Sequence, residues 1–348
     1  MKNNALLESL SDFFVSYLPE TKGLSENTII SYQYTFQLLF EFIHEKMGLS
    51  PDKVTFKTLM NDTIPEFLTW LETKRGCGVA TRNQRRAAIV SFAKYAAKKN
   101  LGETLPFYTE ISKVPKKKTS RTADIKYFTK EEIFILLSLP NSKTRLGKRD
   151  SVLLSLLYAT GARAQELCDL KVNDISFGSE TNIKLSGQKS KSPRWVTIPD
   201  NCASILRGYL DYRKLDAKNA ADRLKLVFYS QTHEKMSISC VEEIVKKYVA
   251  MAKEQHPDLY KRESYSPHSF RHSIAVHMLE CGESLVVIKA FLGHASITST
   301  VHYADVTPEL ANKYLRERGK PIESAQMSRQ SNPIGSLPFL KRFKVTKN

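Results

Sequence analysis

Apolar positions recur every three or four residues through most of the chain, which predicts a mainly helical protein. Residues 25–44, SENTIISYQYTFQLLFEFIH, place their apolar side chains at helical spacing behind a Ser/Asn start. Two further helices are predicted at 62–74 and 79–99. Together these stretches predict a helical N-terminal unit.

A second pattern begins at TKEE, residues 129–132, where Thr129 and Glu132 form a capping box before the apolar stretch IFILLSL. Alternating apolar residues on either side of GQKSKSP predict a β-hairpin, at Ile183, Leu185, Val196 and Ile198. Helical spacing returns at 150–160, 202–213, 237–254, 267–280, 284–292 and 297–304. The second unit is therefore predicted to combine helices with a small antiparallel sheet.

Between the two units, the segment 111–127, ISKVPKKKTSRTADIKY, breaks the periodicity, contains Pro115 and carries a basic run. It predicts an extended linker, either solvated or lying along a phosphate backbone. The predicted boundaries are a helical domain at 1–112, a basic linker at 113–127, a second domain at 128–320 and a C-terminal tail at 321–348.

Composition narrows the choice of partner. The 348 residues carry a formal net charge of +17, which favours a polyanion, with nucleic acid ahead of an anionic membrane surface. The five cysteines are widely spaced, with no CxxC pair and no zinc spacing, so we expect a reducing compartment and no metal site. Because no signal peptide and no long apolar run are visible, we expect a cytoplasmic protein without membrane attachment.

Basic residues are unevenly distributed in the first unit. Residues 73–100 contain eight basic residues and no acidic one. Three of them crowd the start of a predicted helix, where cations oppose the helix dipole, so phosphate contact is favoured over a solvated surface. The predicted DNA-binding residues are Arg82, Arg85 and Arg86, together with Lys116, Lys117 and Lys118 of the linker.

The stretch TGARAQEL, residues 160–167, places Arg163 just after a buried helix, and Glu166 follows three residues later. A permanent cation costs several kcal/mol to desolvate unless an anion meets it. The sequence leaves two partners open, Glu166 within the chain and a ligand from outside.

Two later motifs add polar groups. In SPHSFRH, Ser266 and Pro267 start a helix, which places His268 and Arg271 together near its N-terminus, where anions are favoured. In AFLGHASITSTVHYADV, His294 follows a helix-ending glycine, and Tyr303 lies nine residues later. A tyrosine becomes a nucleophile only where neighbours accept its proton or stabilise phenolate.

In this order, TGxRxxEL, a hairpin lysine, HxxR, LGH and a tyrosine resemble the motifs of the tyrosine recombinase (phage integrase) family, over about residues 20–320. The resemblance implies a SAM-like core-binding domain followed by a catalytic domain of the tyrosine recombinase type. Within the family, the chain resembles the simple, Xer-like recombinases, so no arm-binding domain is expected.

The resemblance also implies a mechanism without metal, ATP or cofactor, in which Tyr303 forms a 3′-phosphotyrosine and releases a 5′-hydroxyl. The catalytic residues that it implies are Arg163, Lys191, His268, Arg271, His294 and Tyr303, with Glu166 supporting Arg163.

The implied roles differ from residue to residue. The two arginines hold the phosphate oxygens, His268 assists proton transfer at the tyrosine, and His294 hydrogen-bonds the phosphate. Lys191 protonates the leaving oxygen, and Lys189 stays open for that role because the hairpin spacing departs slightly from the family pattern.

The expected activity is site-specific recombination of double-stranded DNA by a homotetramer on two sites, with a second recombinase or accessory factor left open. The length of the tail and of residues 253–266 favours the integrase or transposase of a mobile element. The alternatives are Xer-like dimer resolution, DNA inversion, a type IB topoisomerase, or a DNA-binding protein without catalysis.

Overall fold

The computed structural model describes residues 4–118, 125–187, 193–216, 218–294 and 296–304. The chain divides into two units, Met1–Ala123 and Asp124–Asn348. Lys189 and Lys191, the two candidates for the hairpin lysine, lie outside the described residues, as does the tail.

The first unit consists of helices around an aromatic core. Phe92 lies at its centre, with ring centroids 5.4 Å from Phe13 and 5.2 Å from Phe36. The helices are α1 (Ala5–Asp12, continued by a π-helix at Phe13–Thr21), α2 (Glu26–Met47), α3 (Thr63–Thr73), α4 (Val79–Lys99) and α5 (Leu101–Lys113). The three helices predicted from the periodicity are confirmed, whereas α1 and α5 were not predicted.

The second unit combines helices with a three-stranded antiparallel sheet in the order β1-β2-β3. This confirms the predicted mixture of helices and a small sheet. Its elements are α6 (Lys130–Ser138), α7 (Arg145–Thr160), α8 (Ala164–Cys168), β1 (Ile175–Phe177), β2 (Thr181–Leu185), β3 (Arg194–Ile198), α9 (Asp200–Tyr212), α10 (Ile238–Gln255), α11 (Pro267–Glu280), α12 (Leu285–Leu292) and α13 (Thr298–Ala304).

The capping box at the start of α6 is present and also anchors a distant loop. Thr129 Oγ1 accepts from the backbone N–H of Glu132, and the Glu132 carboxylate accepts from the N–H of Thr129. The second carboxylate oxygen of Glu132 accepts from the backbone N–H of Tyr260, in the connection between α10 and α11, at 2.6 Å. The Tyr260 ring is also buried. The connection between α10 and α11 is therefore packed against the rest of the second unit.

Two glycine turns bring the polar motifs together. Helix α7 ends at Gly161 and α12 ends at Gly293, both in the left-handed region with φ of 57° and 65°. A Cβ built at Gly161 would lie 2.8 Å from Leu292 Cδ2 and 3.2 Å from Ile274 Cγ2. Only a glycine leaves room for the end of α7 to lie directly against α11 and α12.

Candidate active site

Arg271, near the start of α11, is hydrogen-bonded to the turns at the ends of α7 and α12. Its Nη1 donates to the carbonyl of Gly161 at 2.7 Å, and its Nη2 donates to the carbonyl of Leu292 at 2.6 Å. The side chain is buried, at 3% exposure. Burial, followed by the charges of Arg163 and Arg194, lowers the pKa of Arg271 to about 10, which leaves it cationic at neutral pH.

Glu166 joins two guanidiniums. Its carboxylate accepts from the backbone N–H and Nη1 of Arg163 at 2.9 and 3.0 Å, so the pair considered from the sequence is present. It also accepts from Nη1 and Nη2 of Arg194 at 3.0 and 2.9 Å, a bidentate contact. Arg194 reaches this carboxylate because it lies on the same, inward face of β3 as the buried Val196 and Ile198.

This network carries more positive than negative charge. Burial alone would raise the pKa of Glu166, but hydrogen bonds and charge from Arg194, and then from Arg163, leave that pKa below its usual value. In the network formed by the described residues, the ionised Glu166 faces three guanidiniums, those of Arg163, Arg194 and Arg271. The Arg163 side chain is 32% exposed, so it can reach an external anion.

Tyr303 lies beside these cations, on α13. Its side chain is 2% exposed, and burial raises the pKa of its hydroxyl although Arg271 and Arg163 lower it in part. The ring stacks on His294 at 6.3 Å with an angle of 12°. His294 is itself held by a 2.9 Å hydrogen bond between its Nδ1 and Thr300 Oγ1.

The hydroxyl of Tyr303 is hydrogen-bonded to His272, at 3.0 Å from its Nδ1. The resemblance had implied that His268 assists proton transfer at this tyrosine. His268 lies one turn earlier on α11 and is exposed, with its ring centroid 6.4 Å from that of His272. The described histidine that is hydrogen-bonded to the tyrosine hydroxyl is thus the one that follows Arg271 in the sequence.

The structure gathers most of the predicted site. The hydrogen bonds and charges described above link Arg163, Glu166, Arg271, His294 and Tyr303, with His268 on the same helix face as His272. Two residues were missed, Arg194 and His272. The i, i+4 spacing of His268 and His272 would have indicated the second, whereas the contact of Arg194 with Glu166 crosses 28 residues and has no local signal.

The basic residues predicted to contact DNA divide into two groups. Arg82 and Arg86 are buried, and their guanidiniums donate to the carbonyls of Pro115 at 2.9 Å and Val114 at 2.5 Å, just after α5. Arg85, which is half-buried, belongs with these two arginines because it also donates to a backbone carbonyl, that of Ser31, at 2.8 Å. The exposed group consists of Lys116, Lys117 and Lys118. The buried arginines therefore fasten the start of the predicted linker to α4, which is a structural role and not the predicted contact with DNA.

Two other features, a metal site and a membrane span, are absent from the described parts of the chain. There, no three His, Cys, Asp or Glu side chains are grouped closely enough to hold a metal ion. None of the described helices combines the length and apolar character needed to cross a membrane.

Comparison with known families agrees with this geometry. Residues 126–309 match the phage integrase family, and residues 12–100 match the N-terminal SAM-like domain of phage integrases. The first match spans more than half of the chain and contains every described residue of the candidate site. The chain belongs to the phage integrase family. It is a tyrosine recombinase, of the class that breaks and rejoins DNA at specific sites, which confirms the resemblance seen in the sequence.

Individual tyrosine recombinases extend the comparison. Tyrosine recombinase XerA of Pyrococcus furiosus is 31% identical over 318 residues, which cover 91% of this chain and 95% of XerA. In fold, the chain is similar to XerH recombinase bound to a palindromic difH substrate, with a TM-score of 0.65 and 19% identity over 92% of this chain and 89% of that one. It is also similar to the Tn1549 transposon integrase in complex with transposon right end DNA, with a TM-score of 0.64 and 16% identity over 84% and 93% of the two chains.

Proposed function

We propose that this recombinase cuts and rejoins double-stranded DNA through a covalent 3′-phosphotyrosine on Tyr303. The observation that carries the proposal is the unbalanced charge beside that hydroxyl, where three guanidiniums face the single carboxylate of Glu166 in the described network. A phosphodiester supplies the missing anion, and planar guanidiniums are suited to its non-bridging oxygens.

In the proposed cleavage step, the Tyr303 oxygen attacks the scissile phosphorus and the bond to the 5′-oxygen breaks. The released 5′-hydroxyl can later attack the phosphotyrosine, which restores the tyrosine and a phosphodiester. Because one phosphate ester replaces another, rejoining needs no external energy source.

Each neighbouring group has a proposed part in this step. Arg163 and Arg271 hold the phosphate and stabilise the pentacoordinate transition state. Arg271 has five N–H donors, of which the two described carbonyl contacts use two, so donors remain for an oxygen. His294, oriented by Thr300, hydrogen-bonds the phosphate. Lys191, or else Lys189, protonates the 5′-oxygen.

The test is a covalent-adduct assay. The binding site is first selected from genomic DNA with the protein, and a duplex of that site is then nicked near the crossover so that rejoining fails. Wild-type protein is expected to give a protein–DNA adduct on a denaturing gel, Tyr303→Phe none, and the exposed control Tyr212→Phe a normal amount. An adduct from Tyr303→Phe, or none from wild type on its selected site, would exclude the proposal.

For the biological task, we propose the integrase of a mobile element, as the sequence analysis favoured. Xer-like dimer resolution is the second candidate, favoured by the 31% identity to XerA over 91% of the chain. The gene's neighbourhood distinguishes them, because flanking repeats and transposition genes support an element, whereas an isolated chromosomal locus supports resolution. Recombination assays in vitro give an independent answer. Efficient joining of two separate duplexes would support an integrase, whereas efficient resolution of head-to-tail sites on one molecule would support dimer resolution.

We further propose that residues 1–112 form the core-binding domain, 113–127 the linker, 128–320 the catalytic domain and 321–348 the tail. The family matches at 12–100 and 126–309 support this division. We also propose a homotetramer on two DNA sites in the cytoplasm. Crosslinking on bound DNA tests the stoichiometry, with a species of four protomers expected and monomers alone contradicting it.

A further inference from the structure

The hydrogen bond between His272 and Tyr303 joins the proposed nucleophile to a group outside the expected catalytic set. His272 Nδ1 lies 3.0 Å from the tyrosine oxygen, and the ring centroids are 5.6 Å apart. Tyr303 is buried, so this contact occupies its reacting atom in a site shielded from bulk water. A proton leaving that oxygen has an acceptor already in place.

The geometry of α11 explains why His272 is the residue that contacts the Tyr303 hydroxyl. His268 and His272 are four residues apart on α11 and share one face, while Arg271, one residue earlier, turns to the carbonyls of Gly161 and Leu292. The same helix therefore presents a cation towards the phosphate position and an imidazole to the tyrosine.

His272 is neutral at physiological pH. Burial, followed by the charges of His268 and Arg271, lowers its pKa to about 4. The titratable groups that face it are His268 and Arg271 on its own helix, Tyr303 on α13, and His294 in the turn before α13. A neutral imidazole has one ring nitrogen free to accept a proton, and with the ring proton on Nε2 that nitrogen is Nδ1.

We propose that His272 is a catalytic base of this recombinase, whose Nδ1 takes the phenolic proton of Tyr303 as the tyrosine oxygen attacks the phosphorus. This inference rests on the proposed function. The Tyr303 O–H bond breaks and an N–H bond forms on His272, while the oxygen–phosphorus bond forms and the phosphorus–5′-oxygen bond breaks. In rejoining, the imidazolium returns the same proton to the departing tyrosine oxygen.

The bound phosphodiester makes His272 a stronger base. Its negative charge lies beside Arg271 and offsets part of the positive field that now disfavours the imidazolium, which raises the pKa of His272 towards its usual value. The base is therefore weak in the free protein and effective once DNA is bound, so nucleophile activation depends on the substrate.

The other two histidines are less well placed for this role. The Nδ1 of His294 is hydrogen-bonded to Thr300, and its ring lies nearly parallel to that of Tyr303, with the ring centroids 6.3 Å apart. The ring of His268 lies 6.4 Å from that of His272, on the exposed side. Among the described residues, His272 is the one histidine for which a hydrogen bond to the nucleophile is seen.

The experiment measures single-turnover adduct formation on the nicked duplex as a function of pH. The proteins compared are wild type, His272→Ala, His272→Gln and His302→Ala, the last an exposed neighbour of the nucleophile. The His272 variants are expected to lose roughly 100-fold or more at pH 7, as is typical for loss of general-base catalysis. His302→Ala is expected to match wild type. Thermal unfolding and DNA binding of each variant show whether it remains folded.

The pH profile separates proton transfer from positioning. Between about pH 7.5 and 9, above the usual histidine pKa of ~6.5, His272 stays deprotonated, so the wild-type rate is expected to be independent of pH. The His272→Ala rate is expected to rise about tenfold per pH unit, because the phenol must then ionise before attack. His272→Gln preserves a hydrogen-bonding side chain but cannot take the proton, so it should behave like the alanine variant.

Three outcomes would overturn the inference while leaving Tyr303 as the nucleophile. The first is a wild-type rate for folded His272→Ala. The second is rescue of the rate by His272→Gln, and the third is a flat pH profile in both variants. Either of these last two would make His272 only a positioning residue. If wild type itself forms no adduct, the proposed function fails instead.

Discussion

Arg163 and Arg271 are both proposed to bind the scissile phosphate, yet their side chains have different environments. Arg163 is one-third exposed and shares the Glu166 carboxylate with Arg194. Arg271 is buried and supplies donors to two backbone carbonyls. The same substitution at these two positions should therefore have different effects on the stability of the fold.

Arg163→Ala and Arg271→Ala should both abolish most of the adduct formation. Only Arg271→Ala should lower the unfolding free energy strongly, because it leaves two carbonyls without that donor, at roughly 1–3 kcal/mol each. Urea unfolding followed alongside the adduct assay measures both effects. Equal stability of the two variants would mean that water or a rearranged side chain replaces the lost donors.

Glu166→Gln should destabilise the catalytic unit by roughly 3–5 kcal/mol near neutral pH, because Arg194 then keeps a buried charge without its anion. The folded-state pKa of Glu166 is lowered from 4.5, so its contribution is present above that pH and is lost as the pH falls through the folded value. The difference in unfolding free energy between wild type and variant should therefore narrow below about pH 4.5.

Urea unfolding at pH 7 and at several values from 5 to 3 tests this expectation. Glu131→Gln is the control, since Glu131 is exposed on the same domain. A difference that stays constant across the acid range would show that the carboxylate charge is not what stabilises the network.

At the residue scale, local spacing indicated Glu166 as one of two possible partners of Arg163, and it placed His268 and Arg271 together near the start of α11. The Arg163–Glu166 pair forms at the start of α8, where Arg163 is the N-cap residue and Glu166 the third helical residue. Local spacing did not predict Arg194 at Glu166. That contact depends on how β3 packs against α8, and a single sequence contains no signal for such packing. The residue in contact with Tyr303 was likewise decided by the placement of α13 against α11.

At the scale of elements, the glycine turns connect backbone conformation to the site. A Cβ at Gly293 would lie 3.2 Å from Arg194 Cδ and 3.5 Å from its Nη1. Gly48, which ends α2, has the same φ of 65° but open space around the Cβ position. A substitution at Gly48 therefore shows the effect of backbone strain alone, whereas the same substitution at Gly293 adds the contact with Arg194.

Gly293→Ala and Gly48→Ala should each cost about 1 kcal/mol of stability, from the left-handed backbone that alanine disfavours. Gly293→Ala should in addition shift the Arg194 side chain by a few tenths of an ångström against Glu166. We expect this shift to slow adduct formation about tenfold, which corresponds to ~1.4 kcal/mol. Melting curves and adduct rates for both variants decide the matter. If the two variants slow cleavage equally, contact with Arg194 is not the cause.

Helix α5 illustrates where periodicity was insufficient at this scale. Its sequence contains Gly102 and Pro106, which favour a break, and the polar residues that follow resemble a linker. The helix forms because Phe107 and Ile111 are buried in the aromatic core of the first unit. Tertiary packing therefore outweighed local propensity, as it also did where Pro19 lies inside the π-helix.

At the scale of the whole molecule, the net charge of +17 predicts strongly salt-dependent DNA binding. Lys116 and Lys118, exposed after α5, should contribute to it. Lys117 is instead paired with Glu72 at 2.7 Å, and Arg82 and Arg86 donate to backbone carbonyls. The basic residues around the end of α5 therefore include some whose charge is available to DNA phosphates and others whose charge is used within the fold.

The double variant Lys116→Gln/Lys118→Gln should reduce the slope of log affinity against log salt by about 2, since each phosphate neutralised contributes ~0.9. Its thermal stability should equal that of wild type. Arg82→Gln should instead lower the stability of the first unit. Salt-titrated binding to the selected site measures the slope, and an unchanged slope would place these lysines away from DNA.

The double use of Arg271 has a practical consequence for obtaining inactive protein. A dominant-negative subunit must occupy its DNA site and assemble with active copies while performing no chemistry, which requires an intact fold. Substitution of Arg271 would disconnect the ends of α7 and α12, so loss of activity there would be confounded with misfolding. Tyr303→Phe removes only one hydroxyl and leaves both turns fastened, which makes it the variant suited to trapping uncleaved complexes for structural work.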